Sequence, residues 1–221
     1  MKNDKGDDMK EIVVIGAGDF GKEVAWLIED INKKAPMYII LGFLDDDTDK
    51  IGKQLNGYEC LGPVSSLIEL NKNHHACAVV AMQDSDIRRQ IVKMFPEFDS
   101  WETLIHPTAN ISASSKIGKG CIVCANNNIS VNTAIGDQVI MNLSVTMGHD
   151  CKVADYVSIM SGTVVSGHVT LGDGAYLGSN STVVPGKKVG NHSRVGAGSV
   201  VIRNVKDHLS VMGVPAKVIR F

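Results

Sequence analysis

The chain has 221 residues, with 22 Lys and Arg against 24 Asp and Glu and a formal net charge of -2. Hydrophobic residues make up 44% of the sequence and aromatic residues 5%, a composition typical of a globular protein with a substantial core. The near-neutral balance and the lack of a basic run exclude the usual electrostatic footprint of nucleic-acid binding. We therefore expect one or two domains and no nucleic-acid partner.

The first residues are polar, and we expect a flexible tail over 1–9. This segment has no apolar region of a signal peptide, and no unbroken apolar stretch of about 18 residues occurs in the sequence. We expect no membrane insertion and a cytoplasmic location. Cysteines are odd in number and scattered, which argues against a disulfide framework. They are Cys60, Cys77, Cys121, Cys124 and Cys151.

A buried strand, a tight turn and a helix are predicted at the front of the chain. The apolar run Ile12-Val13-Val14-Ile15 precedes Gly16-Ala17-Gly18-Asp19-Phe20-Gly21, a G-x-G-x-x-G motif in the context of a nucleotide-binding turn. Apolar residues at helical spacing follow, and Pro36 marks the helix end. Further strands are predicted over 38–44 and 76–82, and a further helix over 87–95.

An acidic cluster, Asp45-Asp46-Asp47, ends the second predicted strand. The cluster and the glycine-rich turn therefore lie at the carboxyl ends of neighbouring strands, where open α/β sheets bind nucleotides. A domain over 10–102 accommodates one mononucleotide-binding half, which favours a nucleotide-sugar over NAD and argues against an NAD-dependent oxidoreductase. The glycine motif is also compatible with a plain strand-to-helix turn, and the aspartates with solvated turn positions.

An internal repeat of six residues dominates the second half, over 103–205. Every sixth residue from Ile111 to Val201 is aliphatic or Met, and most residues four positions later are small or β-branched. Three hexapeptides build one triangular coil, so the pattern predicts a parallel β-helix of about five coils stacked about 4.8 Å apart. Glycine recurs directly after the large aliphatic residue, which indicates a sharp turn or a close approach of two chains. Residues 206–221 are predicted as a C-terminal tail.

These motifs, in this order, resemble the left-handed β-helix acetyltransferases with a Rossmann-like N-terminal domain. That family includes nucleotide-amino-sugar N-acetyltransferases and sialic-acid O-acetyltransferases. The resemblance implies an α/β Rossmann-like half-domain followed by an all-β left-handed parallel β-helix, and a homotrimer with sites between neighbouring prisms. The motifs that carry it are Gly16-Ala17-Gly18-Asp19-Phe20-Gly21, Gly42-Phe43-Leu44-Asp45-Asp46-Asp47, Ile87-Arg88-Arg89, Leu104-Ile105-His106-Pro107, Asn142 with Gly148-His149-Asp150, and Gly213-Val214-Pro215-Ala216-Lys217.

The resemblance further implies transfer of acetyl from acetyl-CoA to the amino group of a nucleotide-linked amino sugar in surface-polysaccharide biosynthesis, with no metal required. It assigns His149 as general base and Asp150 as the residue that orients the ring. Direct acyl transfer needs a proton removed from the attacking amine, a task suited to imidazole. Without the resemblance, the outward position of His149 favours a solvated turn histidine over a catalytic one. Sugar O-acetylation and a noncatalytic nucleotide-binding trimer remain alternatives.

Binding residues also follow from the resemblance. Phe20 departs from the histidine that the family often has, Gln83 lies in a turn that replaces a Gly-containing one, and Ser158 stands where one characterised type has a second histidine. These departures bear on the identity of the acceptor. The implied substrate-binding residues are Gly18, Asp19, Phe20, Asp45, Asp46, Gln83 and Asn142, and the implied acetyl-CoA-binding residues are Ser158, Gly167, Ser179 and Ala197.

Other histidines and cysteines are predicted to have structural roles. His168 and His192 lack the acidic neighbour of His149, so we expect surface or subunit contacts for both, and His106 is expected to be structural. A zinc knuckle needs a second pair of cysteines, which Cys124 and its neighbour Cys121 do not have at a suitable spacing. Cys151 lies at an inward position of the repeat and is expected to pack rather than react.

Overall fold

The computed structural model describes residues 9–219, which belong to two compact units, Met1–Pro107 and Thr108–Phe221. Residues 1–8 of the expected N-terminal tail lie outside the described residues. The division between the units falls after Pro107, whereas the sequence pattern places it after Glu102. None of the helices within 9–219 is long and apolar enough to cross a membrane.

The N-terminal unit contains a sheet with the strand order β3-β4-β2-β1-β5, in which only the β3/β4 pair is antiparallel. The elements of this unit are β1 (Lys10–Ile15), α1 (Asp19–Lys34), β2 (Tyr38–Leu44), β3 (Gln54–Leu55), β4 (Tyr58–Gly62), a 3₁₀ turn (Val64–Ser66), α2 (Leu67–His74), β5 (Cys77–Val80), α3 (Ser85–Met94) and β6 (Leu104–Ile105).

The apolar run of β1 places this strand in the centre of the sheet, where Ile12–Ile15 are fully buried. From β1 the chain passes to β2 on one side, and β5 later pairs with β1 on the other side. The turns that follow β1 and β5 therefore flank a topological switch point, the crevice in which open α/β sheets bind ligands. The sequence pattern missed the β3–β4 hairpin and α2, because these elements are short and of α2 only Leu67 is buried.

The C-terminal unit is a parallel β-helix. Its two-residue strands, with three residues for β23, are β7 (Asn110–Ile111), β8 (Lys116–Ile117), β9 (Ile122–Val123), β10 (Asn128–Ile129), β11 (Ala134–Ile135), β12 (Ile140–Met141), β13 (Thr146–Met147), β14 (Lys152–Val153), β15 (Ser158–Ile159), β16 (Val164–Val165), β17 (Thr170–Leu171), β18 (Tyr176–Leu177), β19 (Thr182–Val183), β20 (Lys188–Val189), β21 (Arg194–Val195), β22 (Val200–Val201), β23 (Ser210–Met212) and β24 (Lys217–Val218).

Three faces form the prism. The first runs β22-β19-β16-β13-β10-β7, the second β20-β17-β14-β11-β8, and the third β23-β21-β18-β15-β12-β9 with β24 antiparallel to β23. Paired residues on each face are 18 positions apart, as predicted for three hexapeptides per coil. The last coil is shorter: Asn191 contacts Asp207 at a spacing of 16.

The interior of the prism contains the repeated aliphatic residues. Those from Val123 to Val201 are buried, whereas Ile111 and Ile117 at the edge strands are partly buried. Small residues four positions later share the same interior, as Thr133 and Ser199 do. Each buried Val or Leu contributes about 1.5–3 kcal/mol of transfer free energy, so this stack stabilises the coil.

Three corners join the faces, and most turns at these corners contain a residue with positive φ. Glycine, Asn and Asp tolerate this conformation best. The glycines after the large aliphatic residues have a different role: a Cβ on Gly148 would lie 2.5 Å from the nitrogen of Gly167 in the next coil. The corner residues include Asn132, Asp150, His168 and Gly186 on corner 1, Gln138, Tyr156, Gly174 and His192 on corner 2, and Asn126, Ser144, Gly162, Asn180 and Gly198 on corner 3.

Candidate functional site

His149 and Asp150 lie on corner 1, between β13 and β14. The ring nitrogen Nδ1 of His149 is 2.8 Å from Oδ2 of Asp150. Asp150 has a φ of 57°, and this left-handed backbone brings the two neighbouring side chains together. An ionised carboxylate only accepts hydrogen bonds, so Nδ1 carries the ring hydrogen and Nε2 keeps its lone pair. The pair thus presents a free imidazole base to its surroundings.

Asp150 is held in its ionised form. The hydrogen bond from His149, followed by one from Asn132 Nδ2 at 3.3 Å, lowers the pKa of Asp150 below its usual value, and slight burial opposes this effect. Asn132 lies one coil before Asp150 on the same corner. Sequence reasoning missed Asn132 because its partner is 18 residues away.

Gly167 lies directly under the His149 ring. A Cβ on Gly167 would lie 2.7 Å from Nε2 of His149, a distance that no carbon occupies without displacing the ring. The carbonyl of Gly167 accepts from the backbone N–H of Gly186 at 2.9 Å. The family resemblance implies that Gly167 contacts acetyl-CoA through its backbone. The geometry adds that Gly167 limits where the ring of His149 can lie.

His168 and His192 have no acidic neighbour in the sequence, but the stacking of coils places a carboxylate near each ring. Nε2 of His168 lies 3.9 Å from Oδ2 of Asp150, and Nε2 of His192 lies 3.5 Å from Oδ2 of Asp173. Both carboxylates come from the preceding coil, so adjacency in the sequence does not reveal them. The rings of His149 and His168 meet edge to face at 4.9 Å between centroids.

The other prism residues expected around the acceptor sugar and acetyl-CoA lie away from corner 1. Asn142, Ser179 and Ala197 lie on corner 3, one face away from His149 on corner 1. Asn142 is buried, and its Oδ1 accepts from the N–H of Leu143 at 2.7 Å. Ser158 is buried on β15. One prism therefore brings His149 together with Gly167 but not with the candidate residues of corner 3.

In the N-terminal unit, Asp45 joins the glycine-rich turn to the end of β2. Its Oδ2 accepts from the N–H of Ala17 at 2.7 Å and pairs with Lys50 Nζ at 3.1 Å, while Oδ1 accepts from the N–H of Asp47 at 2.9 Å. Burial alone would raise the pKa of Asp45, but these hydrogen bonds and Lys50 outweigh it and lower the pKa. Asp46 Oδ1 accepts from the N–H of Val64 at 2.9 Å.

Gly18 ends the turn between β1 and α1, and Asp19 and Phe20 are the first two residues of α1. Gly18 precedes the first helical residue, and a Cβ there would meet nothing within 4 Å, so its surroundings are open. Asp19 is exposed and pairs with Lys22 Nζ at 2.8 Å. Exposed N–H groups of a helix N-terminus attract phosphate.

The turn after β5 carries Gln83 and meets the glycine-rich turn. A Cβ on Gly16 would lie 3.1 Å from the carbonyl oxygen of Ala81, so the two turns are packed together at the switch point. The fully buried Arg88 supports this arrangement through a hydrogen bond from Nη1 to the carbonyl of Met82. The Ile87-Arg88-Arg89 motif contains this residue, but nothing in the sequence indicates its buried guanidinium. His106 is buried, and its Nε2 lies 3.2 Å from Asp30 Oδ2.

Comparison with known proteins connects both units to one class of enzyme. Residues 11–95 match the family described as the PglD N-terminal domain, and residues 150–185 match the bacterial transferase hexapeptide family of six repeats. Over 160 residues, covering 71% of this chain and 70% of the relative, the sequence is 30% identical to GDP-perosamine N-acetyltransferase of Escherichia coli O157:H7.

Solved structures extend this likeness to almost the whole chain. A histidine-to-asparagine variant of perosamine N-acetyltransferase from Caulobacter crescentus, in complex with CoA and GDP-perosamine, matches with a TM-score of 0.89 at 26% identity, covering 97% of this chain and 99% of that one. The acetyltransferase domain of PglB from Neisseria gonorrhoeae, in complex with acetyl coenzyme A, matches with a TM-score of 0.87 at 32% identity, covering 96% and 100%.

These matches confirm the predicted fold class, a Rossmann-like α/β half-domain followed by a left-handed parallel β-helix. They also confirm the resemblance drawn from the sequence motifs. The chain belongs to the hexapeptide-repeat, left-handed β-helix acetyltransferases that carry a PglD-type N-terminal domain.

Proposed function

We propose that this enzyme transfers the acetyl group of acetyl-CoA to the amino group of a nucleotide-linked amino sugar, with His149 as general base. The observation that carries the proposal is the 2.8 Å hydrogen bond from His149 Nδ1 to Asp150, which leaves Nε2 as a free base. The sequence relative acts on a GDP-linked amino sugar, which favours an amine over a hydroxyl acceptor.

In this mechanism the amine nitrogen attacks the thioester carbonyl carbon while His149 Nε2 takes the proton that the nitrogen loses. The tetrahedral intermediate collapses, the C–S bond breaks, and the CoA sulfur leaves with the proton from the imidazolium. Asp150 holds the tautomer and stabilises the imidazolium through the hydrogen bond to Nδ1. No covalent acyl-enzyme forms.

The nucleotide is proposed to bind at the switch point of the N-terminal sheet. The N–H groups at the start of α1 would hold the diphosphate, beside Gly18, Asp19 and Phe20. Gln83, in the turn packed against this loop, would contact the base or the sugar. The carboxylate of Asp45 already accepts from two backbone N–H groups and pairs with Lys50, so its proposed contribution is to shape the loop and present a remaining lone pair.

The complete site is proposed to lie between neighbouring chains of a homotrimer in the cytoplasm. Support for an intermolecular site comes from the two corners: His149 lies on corner 1, whereas Asn142, Ser179 and Ala197 lie on corner 3. The side chain of His149 is 53% exposed in the single chain, too open for a dry acyl-transfer site. Corner 3 of a second chain, packed against corner 1, would supply the missing wall for acetyl-CoA.

The decisive experiment measures acetyl-CoA-dependent thiol release with UDP-, dTDP- and GDP-linked amino sugars. We expect turnover with one nucleotide class and a fall in kcat of about 10²–10⁴-fold in His149→Ala, the usual contribution of a general base. His192→Ala removes another surface histidine paired with an aspartate, on corner 2, and serves as the matched control.

The control variant should retain the rate of the wild-type enzyme. Equal rates for His149→Ala and the wild type would eliminate His149 as the base. Turnover with a hydroxyl sugar and none with any amino sugar would show instead that the enzyme is an O-acetyltransferase.

A further inference from the structure

Corner 1 brings together three side chains that can ligate a metal. One ligand atom from each of His149, Asp150 and His168 lies within 4.8 Å of the other two. His149 Nδ1 is 2.8 Å and His168 Nε2 is 3.9 Å from the same oxygen, Oδ2 of Asp150. His168 has no function in the mechanism above, although it stacks edge to face against the proposed base.

The spacing of these atoms fits a tetrahedral ion. Zn²⁺ takes imidazole nitrogen and carboxylate oxygen at about 2.0–2.2 Å, so its ligands lie about 3.4 Å from one another. The two measured separations, 2.8 and 3.9 Å, bracket this value. The side chains of His149, Asp150 and His168 are 53%, 40% and 64% exposed, so small rotations can complete the geometry without a packing cost.

We propose that His149, Asp150 and His168 form a binding site for Zn²⁺, and that the bound ion inhibits acetyl transfer. The ligand set, two imidazoles and one carboxylate with a fourth position open to solvent, suits Zn²⁺ rather than Mg²⁺, which prefers oxygen ligands. The inhibitory part rests on the proposed function of His149 as general base.

Inhibition follows from the tautomer of His149. In the metal-free protein the ring hydrogen is on Nδ1, where Asp150 accepts it. A Zn–N bond at Nδ1 replaces this hydrogen, which moves to Nε2, so the neutral ring keeps one hydrogen and no electron transfer occurs. The nitrogen that would take the proton of the acceptor amine then already carries one. Zn²⁺ therefore removes the base without occupying the proposed nucleotide site of the N-terminal unit.

Thiols do not compete for the ion in the folded protein. Cys60, Cys77, Cys121, Cys124 and Cys151 are all buried and are not joined in disulfides. Burial raises the pKa of Cys77 to about 12, and also raises the pKa values of Cys60 and Cys151. A buried, protonated thiol is a poor ligand for a metal arriving from solvent.

The test measures Zn²⁺ binding directly by isothermal titration calorimetry on the full-length protein, and separately measures acetyl transfer with and without Zn²⁺. The key variant is His168→Asn, because Asn occupies the equivalent left-handed position at Asn132 of the same corner. Loss of this ligand should weaken Zn²⁺ binding by at least about 10- to 100-fold, the effect of removing a residue that only hydrogen-bonds to a metal ligand. For each variant, inhibition is the ratio of its acetyl-transfer rate with Zn²⁺ to its rate without Zn²⁺. In His168→Asn, inhibition at a given Zn²⁺ concentration should weaken along with Zn²⁺ affinity.

Two controls separate this site from general metal binding. His192→Asn removes a histidine with an aspartate partner but without a third ligand among the described residues, and should bind Zn²⁺ as the wild type does. Mg²⁺ at the same concentration should not inhibit.

The outcomes test separately the Zn²⁺ site and the inhibition of acetyl transfer. Equal Zn²⁺ affinity in His168→Asn and the wild type, or an equal loss in His192→Asn, would overturn the site. Binding that depends on His168 but leaves the rate of acetyl transfer unchanged would overturn the inhibition and count against His149 as the base.

Discussion

The His149 ring occupies its position because Gly167 has no Cβ. The ring is exposed and free to move outward, so adding a Cβ under Nε2 shifts the base without straining the core. A displacement of about 1 Å at a reacting group can cost on the order of 10²-fold in rate. Gly167 is thus a positioning residue for the proposed base.

We predict that Gly167→Ala lowers kcat by about 10- to 100-fold. Steady-state kinetics with the preferred amino sugar measure this change, and a thermal melt checks that the fold is retained. Adding Gly167→Ala to His149→Ala tests the cause, because residues that act through one another are not additive. A further tenfold fall in the double variant would mean that Gly167 acts independently of His149.

The sequence predicts the His149–Asp150 pair but not the other residues that contact Asp150. His149 and Asp150 are adjacent in the chain, so their pairing follows from the motif. Asn132 and His168 contact Asp150 from one coil away, and only the stacking of coils reveals them. Once the repeat length is known, reading the sequence in steps of 18 would find such partners.

At the scale of elements, Asp45 connects the end of β2 to the turn between β1 and α1. Its carboxylate accepts from the N–H groups of Ala17 and Asp47, and Lys50 balances its charge. Because the pKa of Asp45 is lowered in the folded protein, ionised Asp45 stabilises the fold above the unfolded value of about 3.9. This contribution is lost as the pH falls through the lowered, folded pKa.

Asp45→Asn should therefore lower the stability of the N-terminal unit by about 1–3 kcal/mol at pH 7, because an amide cannot accept all three contacts. The difference from the wild type should shrink below about pH 4. Urea denaturation followed by tryptophan fluorescence measures it, since Trp26 and Trp101 both lie in this unit. Asp49→Asn, an exposed position in the same loop, should be neutral, and equal losses in both variants would refute a specific role for Asp45.

The elements themselves were predictable to different degrees. The six-residue period predicts the strands of the prism, because every coil must bury its large aliphatic residues. The apolar run of β2 predicts the observed bounds of that strand, Tyr38–Leu44. The observed α3 begins two residues before the predicted 87–95, where the side chain of Asp84 accepts from the N–H groups of Asp86 and Ile87. The β3–β4 hairpin has too few buried residues to leave a pattern.

At the scale of the whole molecule, His149 lies on corner 1 and the proposed acetyl-CoA residues Ser179 and Ala197 lie on corner 3. This separation allows a test with trimers that contain two different variants. His149→Ala removes the proposed base on corner 1, and Ala197→Trp would block the proposed acetyl-CoA position at the exposed Ala197 of corner 3. If sites lie between chains, a mixed trimer contains some sites that combine the intact corner of each variant. Co-expression of the two variants should then restore activity that neither has alone.

Subunit mixing is measured by thiol release on the purified mixed assembly, with light scattering to determine its mass. Each variant expressed alone serves as the control for residual activity. Complete inactivity of a mixed trimer would refute a shared site, and a monomeric mass would refute the trimer itself. The six-residue period assigns each residue to a corner, but it does not show which corners of two chains would meet.

The spacing of 18 residues along each face also determines which changes of chain length the prism can accommodate. A duplication of one full coil beyond Val201 would add height while leaving every earlier side chain on its original face. An insertion of a single hexapeptide between His149 and Gly167 would instead rotate everything after it by one face, and a different residue would come to lie under the ring. Related prisms are therefore expected to differ in length by multiples of 18 residues, that is, by whole coils. Between His149 and Gly167 we expect no insertion at all, because even a whole coil would replace the residue under the ring.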